Sequence, residues 1–379
     1  MKKKFILLFC VFASFTAYAQ VSFVPHFDIF SLTKFKKEKP YFENSLDASF
    51  GFNVQAFPEA YFELNSNLSL NNIIPFFHLD KSKRKPIEAF YLNSALTFPS
   101  IKNKNIYLAF FYGQYDYLNS DRILRETAKV KMESPSFQKD FPTSVFRPDL
   151  KVDGLGFALY GCLNYMPVYF AGYGYWNGGY TKETFEISSD FRMGYSFYAG
   201  AFNTFFGAKF SQDIKKTELR AGISASFKTA ETNEFYFDIG IDKLVFPEPT
   251  PYKKLYMLFE PRGIYDKFSF SIPFFMAPVS SLPKFMDQTK YADTSFMGIG
   301  LKLAGGNLEK YNFEAGTSFC TSINPENVSE LTAFTFTASP FFTYAFSKYV
   351  IDCRLNIYPL LYKNPNELVN LSIQIKAVK

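Results

Sequence analysis

Beyond residue 19, the side chains best suited to nucleophilic, acid/base or metal chemistry are two histidines, His26 and His78, and three cysteines, Cys162, Cys320 and Cys353. A covalent mechanism needs a nucleophile with its base close by and a place to hold developing charge. His78 is followed by Asp80, but both sit beside the basic run Lys81, Lys83, Arg84, Lys85, and a histidine near an aspartate is a common juxtaposition. The chain contains no G-x-S-x-G, no G-x-x-x-x-G-K-[ST], no H-E-x-x-H and no calcium loop. The cysteines are odd in number, far apart and without a C-x-x-C, which fits neither a zinc site nor a disulfide framework. The sequence therefore predicts no enzyme, no cofactor and no metal centre.

What remains is chemistry by placement of charge. Phe235, Phe237, Ile239 and Ile241 share one parity while Tyr236, Asp238, Gly240 and Asp242 share the other, so an extended strand has one apolar and one polar face. Leu219 to Lys228 repeats the pattern, with Arg220 on the polar side, and Ile351 to Tyr358 repeats it again, with Asp352 and Arg354. Asp47 and Asn53 oppose Leu46, Ala48, Phe52 and Val54, and Glu63 opposes Phe62 and Leu64. Arg192 opposes Phe191 and Met193, and Glu314 opposes Phe313 and Ala315. Charge keeps to one parity, as required where the other face touches core or lipid. A Lys or Arg on a lipid face near the bilayer midplane costs roughly 2 to 4 kcal/mol.

The elements that must position these charges are strands. Phenylalanine is unusually abundant, at 49 residues against a single Trp176, and apolar positions recur at period two, not at helical spacing. This predicts an all-β chain. Residues 1–19 carry Lys2, Lys3 and Lys4, an apolar run from Phe5 to Phe15, and Ala17-Tyr18-Ala19, the expected form of a secretory signal peptide. Past residue 20 no apolar stretch reaches the ~20 residues of a transmembrane helix, so a membrane location requires a barrel. Removing the signal leaves 38 basic against 35 acidic residues, about +3 in balance, without the basic stripe that nucleic-acid binding needs.

No linker or fixed-period repeat divides residues 20–379, which read as a single domain. Short turns are expected at 57–59, 99–104, 164–166, 230–233, 261–266 and 305–310. Longer links are expected at 31–44, 72–85, 119–150, 246–252 and 277–293. They largely alternate, as tight turns at one rim and long loops at the other would. A trace with both chain ends at the short-turn rim gives an even count of 18 strands within a range of 14 to 18, the stretch 181–210 being ambiguous. Residues 20–44 read as a first strand or a plug. The segment 119–150, with Lys129, Lys131, Lys139 and Arg147 among Glu126, Glu133 and Asp140, reads as the long outward loop, with an inward constriction as its other possibility.

On the Ala17-Tyr18-Ala19 signal, the alternation from about Asp47 to Ala377 and the unequal loop lengths, the chain resembles a bacterial outer-membrane β-barrel of porin-like size. The resemblance lies at superfamily level and covers nearly the whole chain after residue 19. Such barrels commonly finish on a terminal aromatic, where this chain has Val378 and Lys379. The resemblance implies a single antiparallel transmembrane barrel in the outer membrane, with membrane lipid, small solutes and the barrel-assembly machinery as partners. It makes Asp47, Asn53, Glu63, Arg192, Arg220, Asp238, Asp242, Glu314, Asp352 and Arg354 the candidate lumen residues. Their mixed signs predict weak ion selectivity. The expected function is passive diffusion of small solutes. One alternative is a hydrophobic-solute transporter resembling the long-chain fatty acid barrels, with 20–44 as plug, although their Asn-Pro-Ala near the start is not found here. The other is a closed structural or adhesive barrel acting through its loops.

Overall fold

A computed structural model describes residues 20–35, 40–57, 60–73, 86–99, 105–128, 137–141, 146, 148–163, 167–177, 186–211, 216–230, 232–245, 251–278, 295–324, 334–346, 349–361 and 369–377. The expected signal peptide and most of the 72–85 loop lie outside these. The strands are β1 (Gln20–Phe35), β2 (Pro40–Phe57), β3 (Ala60–Asn71), β4 (Glu88–Pro99), β5 (Ile106–Tyr117), β6 (Lys151–Cys162), β7 (Val168–Trp176), β8 (Glu186–Phe197), β9 (Gly200–Ser211) and β10 (Lys216–Ala230). They continue with β11 (Asn233–Val245), β12 (Leu255–Ile264), β13 (Phe268–Ser271), β14 (Phe274–Pro278), β15 (Ser295–Asn307), β16 (Phe313–Ile323), β17 (Phe334–Phe346), β18 (Tyr349–Ile357) and β19 (Val369–Ala377).

Apart from β13 and β14, each strand pairs antiparallel with the strands before and after it, and β1 pairs with both β2 and β19, so one sheet closes on itself. Closure leaves no unpaired edge, the condition for strands to lie in lipid. β13 and β14 both pair with β12 on one side and β15 on the other, so they are two halves of one crossing. The break falls at Ile272 and Pro273, where proline has no N–H to give the ladder. The 19 strands thus make 18 crossings, an even number. Residues 20–35 are a wall strand rather than a plug.

Connections at one rim are short, with none longer than the six residues of 100–105 between β4 and β5, and both ends of the described chain lie at this rim. At the other rim they run up to the 33 residues of 118–150 between β5 and β6. Between two short turns of this rim, Lys310 Nζ and Tyr311 Oη after β15 donate to the carboxylate of Asp266 after β12 at 2.6 and 2.9 Å, which holds that carboxyl below its ordinary range.

The distribution of side chains is that of a soluble protein turned inside out. Phe110, Phe157, Phe191, Phe206, Ile223 and Phe342 are exposed on the outer face, Phe206 at 55%. Asp238, Arg192, Asn203 and Glu260, on the opposite parity, are fully buried. A continuous apolar exterior of this extent has no place in water and defines the lipid-facing belt. Toward the short-turn rim the belt becomes aromatic, where Phe342, Tyr344, Phe346 and Tyr349 follow one another with ring centroids 5.6 to 6.5 Å apart. Tyr195, Phe197 and Phe227 form a similar row. This is the aromatic girdle expected at a membrane interface.

Candidate functional site

The site is the lumen, and its dominant feature is the segment from 118 to 150. The expectation of an outward loop is corrected here, because the described parts of this segment fold into the barrel. Its two ends are joined by Leu118 N donating to Leu150 O at 2.9 Å, and Leu118, Ile123, Phe137, Phe141, Phe146 and Leu150 are all buried. The physical reason is apolar content, since these side chains would be left in water by an outward loop. Packed inside, each contributes about 1.5 to 3 kcal/mol. The segment also contains short helices at Arg122–Ala128 and Phe137–Asp140, which strand periodicity did not signal.

The root of the loop is seated on the wall of β8 to β11. Arg192 Nη1 donates to Asp116 Oδ2 at 3.1 Å and to Tyr117 O at 3.0 Å, and Nη2 donates to Ser120 O. Arg192 Nε donates to Asn203 Oδ1 at 3.2 Å, while Asn203 Nδ2 donates to Leu118 O at 2.7 Å. Asn119 Nδ2 donates to Asp238 Oδ2 at 2.8 Å, and Asp149 N donates to Asp242 Oδ2 at 3.1 Å. Arg220 grips Asp190 with two bonds, 2.7 and 2.6 Å, and also donates to the carbonyls of Asp149 and Lys151. Four of the sequence-predicted lumen residues, Arg192, Arg220, Asp238 and Asp242, thus converge on the loop root.

The far end reaches the wall of β14 to β18. Phe137 and Phe146 pack on Phe275 with ring centroids 5.1 and 6.0 Å away, and Phe146 meets Tyr256 at 6.2 Å. Phe141 lies against Gly300, where an added Cβ would meet its ring at 2.8 Å, so this wall position needs glycine for the loop to approach. Asp140 O accepts from Ser318 Oγ and Arg354 Nη1, each at 2.7 Å, and Asp140 Oδ1 lies 3.1 Å from Lys302 Nζ. Lys302 also pairs with Glu314 at 2.9 Å. Arg354 Nε is 3.8 Å from Asp352 Oδ1, and Asp352 Oδ2 accepts from Thr343 Oγ1 at 2.7 Å. Three more predicted residues, Glu314, Asp352 and Arg354, therefore gather around the loop's far end.

Asp47, Asn53 and Glu63 lie in β2 and β3, away from both groups. By register Asn53 stands opposite Glu63, and Glu63 opposite the buried Thr97; Asp47 stands opposite Ser69. The lumen face on the arc next to them is less covered, with Ser372 and Gln374 half-buried and Asn65 exposed.

Sequence reasoning missed Asp116, Asp140, Asp190, Glu234, Glu260 and Arg262. Asp190 shares the parity of Arg192 in β8, and extending the same rule finds it. Glu234 of β11 and Glu260 of β12 take Arg262 of β12 at 3.6 and 3.0 Å; Glu260 and Arg262 share one parity of β12, and the pairing with Glu234 crosses to the neighbouring strand. Asp140 lies in a segment without period. Among the described residues, no cluster of His, Cys, Asp and Glu could hold a metal ion, and no helix is long and apolar enough to cross a membrane.

No family model matches the sequence, and no curated protein sequence matches it either. Solved structures do. OccAB4 of Acinetobacter baumannii superposes with a TM-score of 0.58 over 95% of this chain and 98% of its own, at 9% identity. OpdL of Pseudomonas aeruginosa gives 0.57 over 94% and 98%, at 8% identity. OpdK of the same organism, crystallised with vanillate, gives 0.55 over 94% and 98%, at 8% identity. The chain has the fold of an outer-membrane porin. This porin-like barrel spans nearly the full length of the structures it matches, so the likeness includes the whole wall.

Proposed function

We propose that this chain is a channel of the bacterial outer membrane through which small hydrophilic solutes diffuse passively, with 118–150 as its constriction and with weak ion selectivity. The observation that carries the reading is the bridging of the closed 18-crossing wall by an inward loop, anchored at its root through Arg192 and Asn203 and at its far end through Asp140. A barrel of 16 to 18 strands encloses an aqueous channel, and a loop across it sets what passes. The long-loop rim then faces outward and the short-turn rim faces the periplasm. Vanillate in the OpdK structure is a small solute, in keeping with a passage of that class. The hydrophobic-solute alternative is weakened because β1 occupies the segment it used as plug. A closed surface barrel remains the rival, and the polar arc at Asn65, Ser372 and Gln374 speaks against it.

Liposome swelling with uncharged sugars of increasing size tests the reading. Entry of monosaccharides with a sharp fall at larger sizes is the expected result. Liposomes that never swell, although the protein shows heat-modifiable gel mobility, would sink the channel and leave the closed barrel.

A further inference from the structure

Where the loop is seated, polar side chains of the wall are buried and bonded, as Arg192 to Asp116 and Asn203 to the Leu118 carbonyl. Two amides on β3 and β4 differ. Asn93 shares the parity of the buried Ala95 and Thr97, and Asn65 stands opposite Ala95, so both lie on the inner face. Yet Asn65 is exposed and Asn93 half-buried, and neither side chain bonds to another described residue. In a wall closed on itself, an exposed side chain on the inner face looks onto open space within the barrel.

The register accounts for this opening. Asn65 stands between Gly51 of β2 and Ala95 of β4, so little side chain flanks it on either side. Two residues along the same face Asn67 stands opposite Asn93, and two residues the other way Glu63 stands opposite Asn53. Positions two apart on a strand are separated by about 7 Å and facing positions by about 5 Å, so asparagines occupy a patch three strands wide with room at its centre. A carboxamide offers one acceptor and two donors without charge, and a hydroxyl both donates and accepts. Amides at this spacing therefore suit a solute that carries several hydroxyls. An anion is poorly served: among the described inward side chains of β3, β4 and β19 none is a cation, and Glu63 lies two residues from Asn65.

We propose that the inner face of β2 to β4 around Asn65 and Asn93 is a binding station for neutral polyhydroxylated solutes of the sugar class. This rests on the channel reading above and narrows its solute. The Asn65 and Asn93 amides hydrogen-bond the hydroxyls, while Gly51 and Ala95 leave the ring room beside Asn65. Because the amides carry no charge, recognition follows hydroxyl pattern and not the sign of the solute. Each amide contributes about one net hydrogen bond, so its removal weakens binding roughly fivefold.

The test is block of single-channel KCl current in planar bilayers by glucose, by its cationic 2-amino analogue glucosamine and by a polyethylene glycol of matching size. The unaltered chain, Asn65→Ala and Asn93→Ala are compared, each shown to be folded by heat-modifiable mobility; the two variants lie in different strands, so either alone carries the test. Glucose is expected to block saturably, and the polyethylene glycol only in proportion to its concentration. Each variant should raise the half-blocking glucose concentration roughly fivefold. Glucose block that never saturates, or a half-blocking concentration that neither variant moves, overturns the proposal while leaving the channel standing. Glucosamine blocking more than tenfold more tightly than glucose also overturns it, because charge and not the amides would then be read. A chain that gives no conducting steps overturns both readings.

Discussion

Replacing Arg192 by methionine removes the cation paired with Asp116 at the loop root and keeps most of the side-chain volume. The guanidinium is fully buried and Asp116 beneath it is 1% exposed, so the change leaves a buried carboxylate without its counter-charge and takes a donor from the Ser120 carbonyl and one of two from the Tyr117 carbonyl, which keeps the Ser120 N–H. Breaking a buried pair from one side costs about 3 to 5 kcal/mol. Asp116 keeps the Tyr173 hydroxyl at 2.6 Å, the Ser120 hydroxyl at 2.7 Å and the Tyr117 N–H at 2.8 Å, which argues for the lower end. A loss of about 3 kcal/mol lowers the folded-to-unfolded ratio about 150-fold. Trp176, the only tryptophan, stands near the end of β7 and is partly exposed, so its emission during urea unfolding from lipid vesicles reports the wall directly. The double variant Arg192→Met/Asp116→Asn removes both charges and should recover about 2 kcal/mol relative to the sum of the single changes. If the loop stood outside, Arg192 would face lumen water, the single change would cost under about 0.5 kcal/mol, and the cycle would show no coupling.

On the lipid face, Phe206→Arg at the middle of β9 should cost roughly 2 to 4 kcal/mol. Gln374→Arg, on the open arc of the lumen, should cost little; folding yield into vesicles, read by heat-modifiable mobility, compares the two. Gly194→Ala should destabilise by about 1 to 3 kcal/mol, because the new Cβ would run into the fully buried Tyr169 ring, and Gly194→Ala with Tyr169→Leu should relieve the loss in the same urea assay. Asn119→Ala removes the shorter of two donors to Asp238 Oδ2, which keeps the Tyr236 hydroxyl at 3.4 Å, and should cost about 1.5 kcal/mol, with faster proteolysis within 118–150 as its local sign.

The wall was largely legible in the sequence because a lipid exterior and a polar interior impose period two on every crossing. The sorting of connections into a short and a long rim agrees with the strand order, and the count of 18 agrees with the number of crossings. Two details stayed open. The stretch 181–210 is ambiguous in sequence, and its hairpin turns at 198–199. Phe197 and Phe202 both belong to the outer girdle, so the aromatic run masks a two-residue turn. The choice between an outward and an inward loop stayed open in the sequence for a different reason. Its contacts join residues far apart in sequence, as Asp140 with Arg354 and Asn119 with Asp238, and follow no period. Its run of buried phenylalanines at 137, 141 and 146 was the signal that such a segment would not stand in water.

The most direct measurement compares single-channel conductance of the intact chain with that of a variant in which residues 121–147 are replaced by a short Gly/Ser link. A seated constriction predicts steps several times larger in the shortened protein, with the same heat-modifiable mobility. Equal conductance in the two proteins would contradict it, for the loop would then stand clear of the path that solutes take.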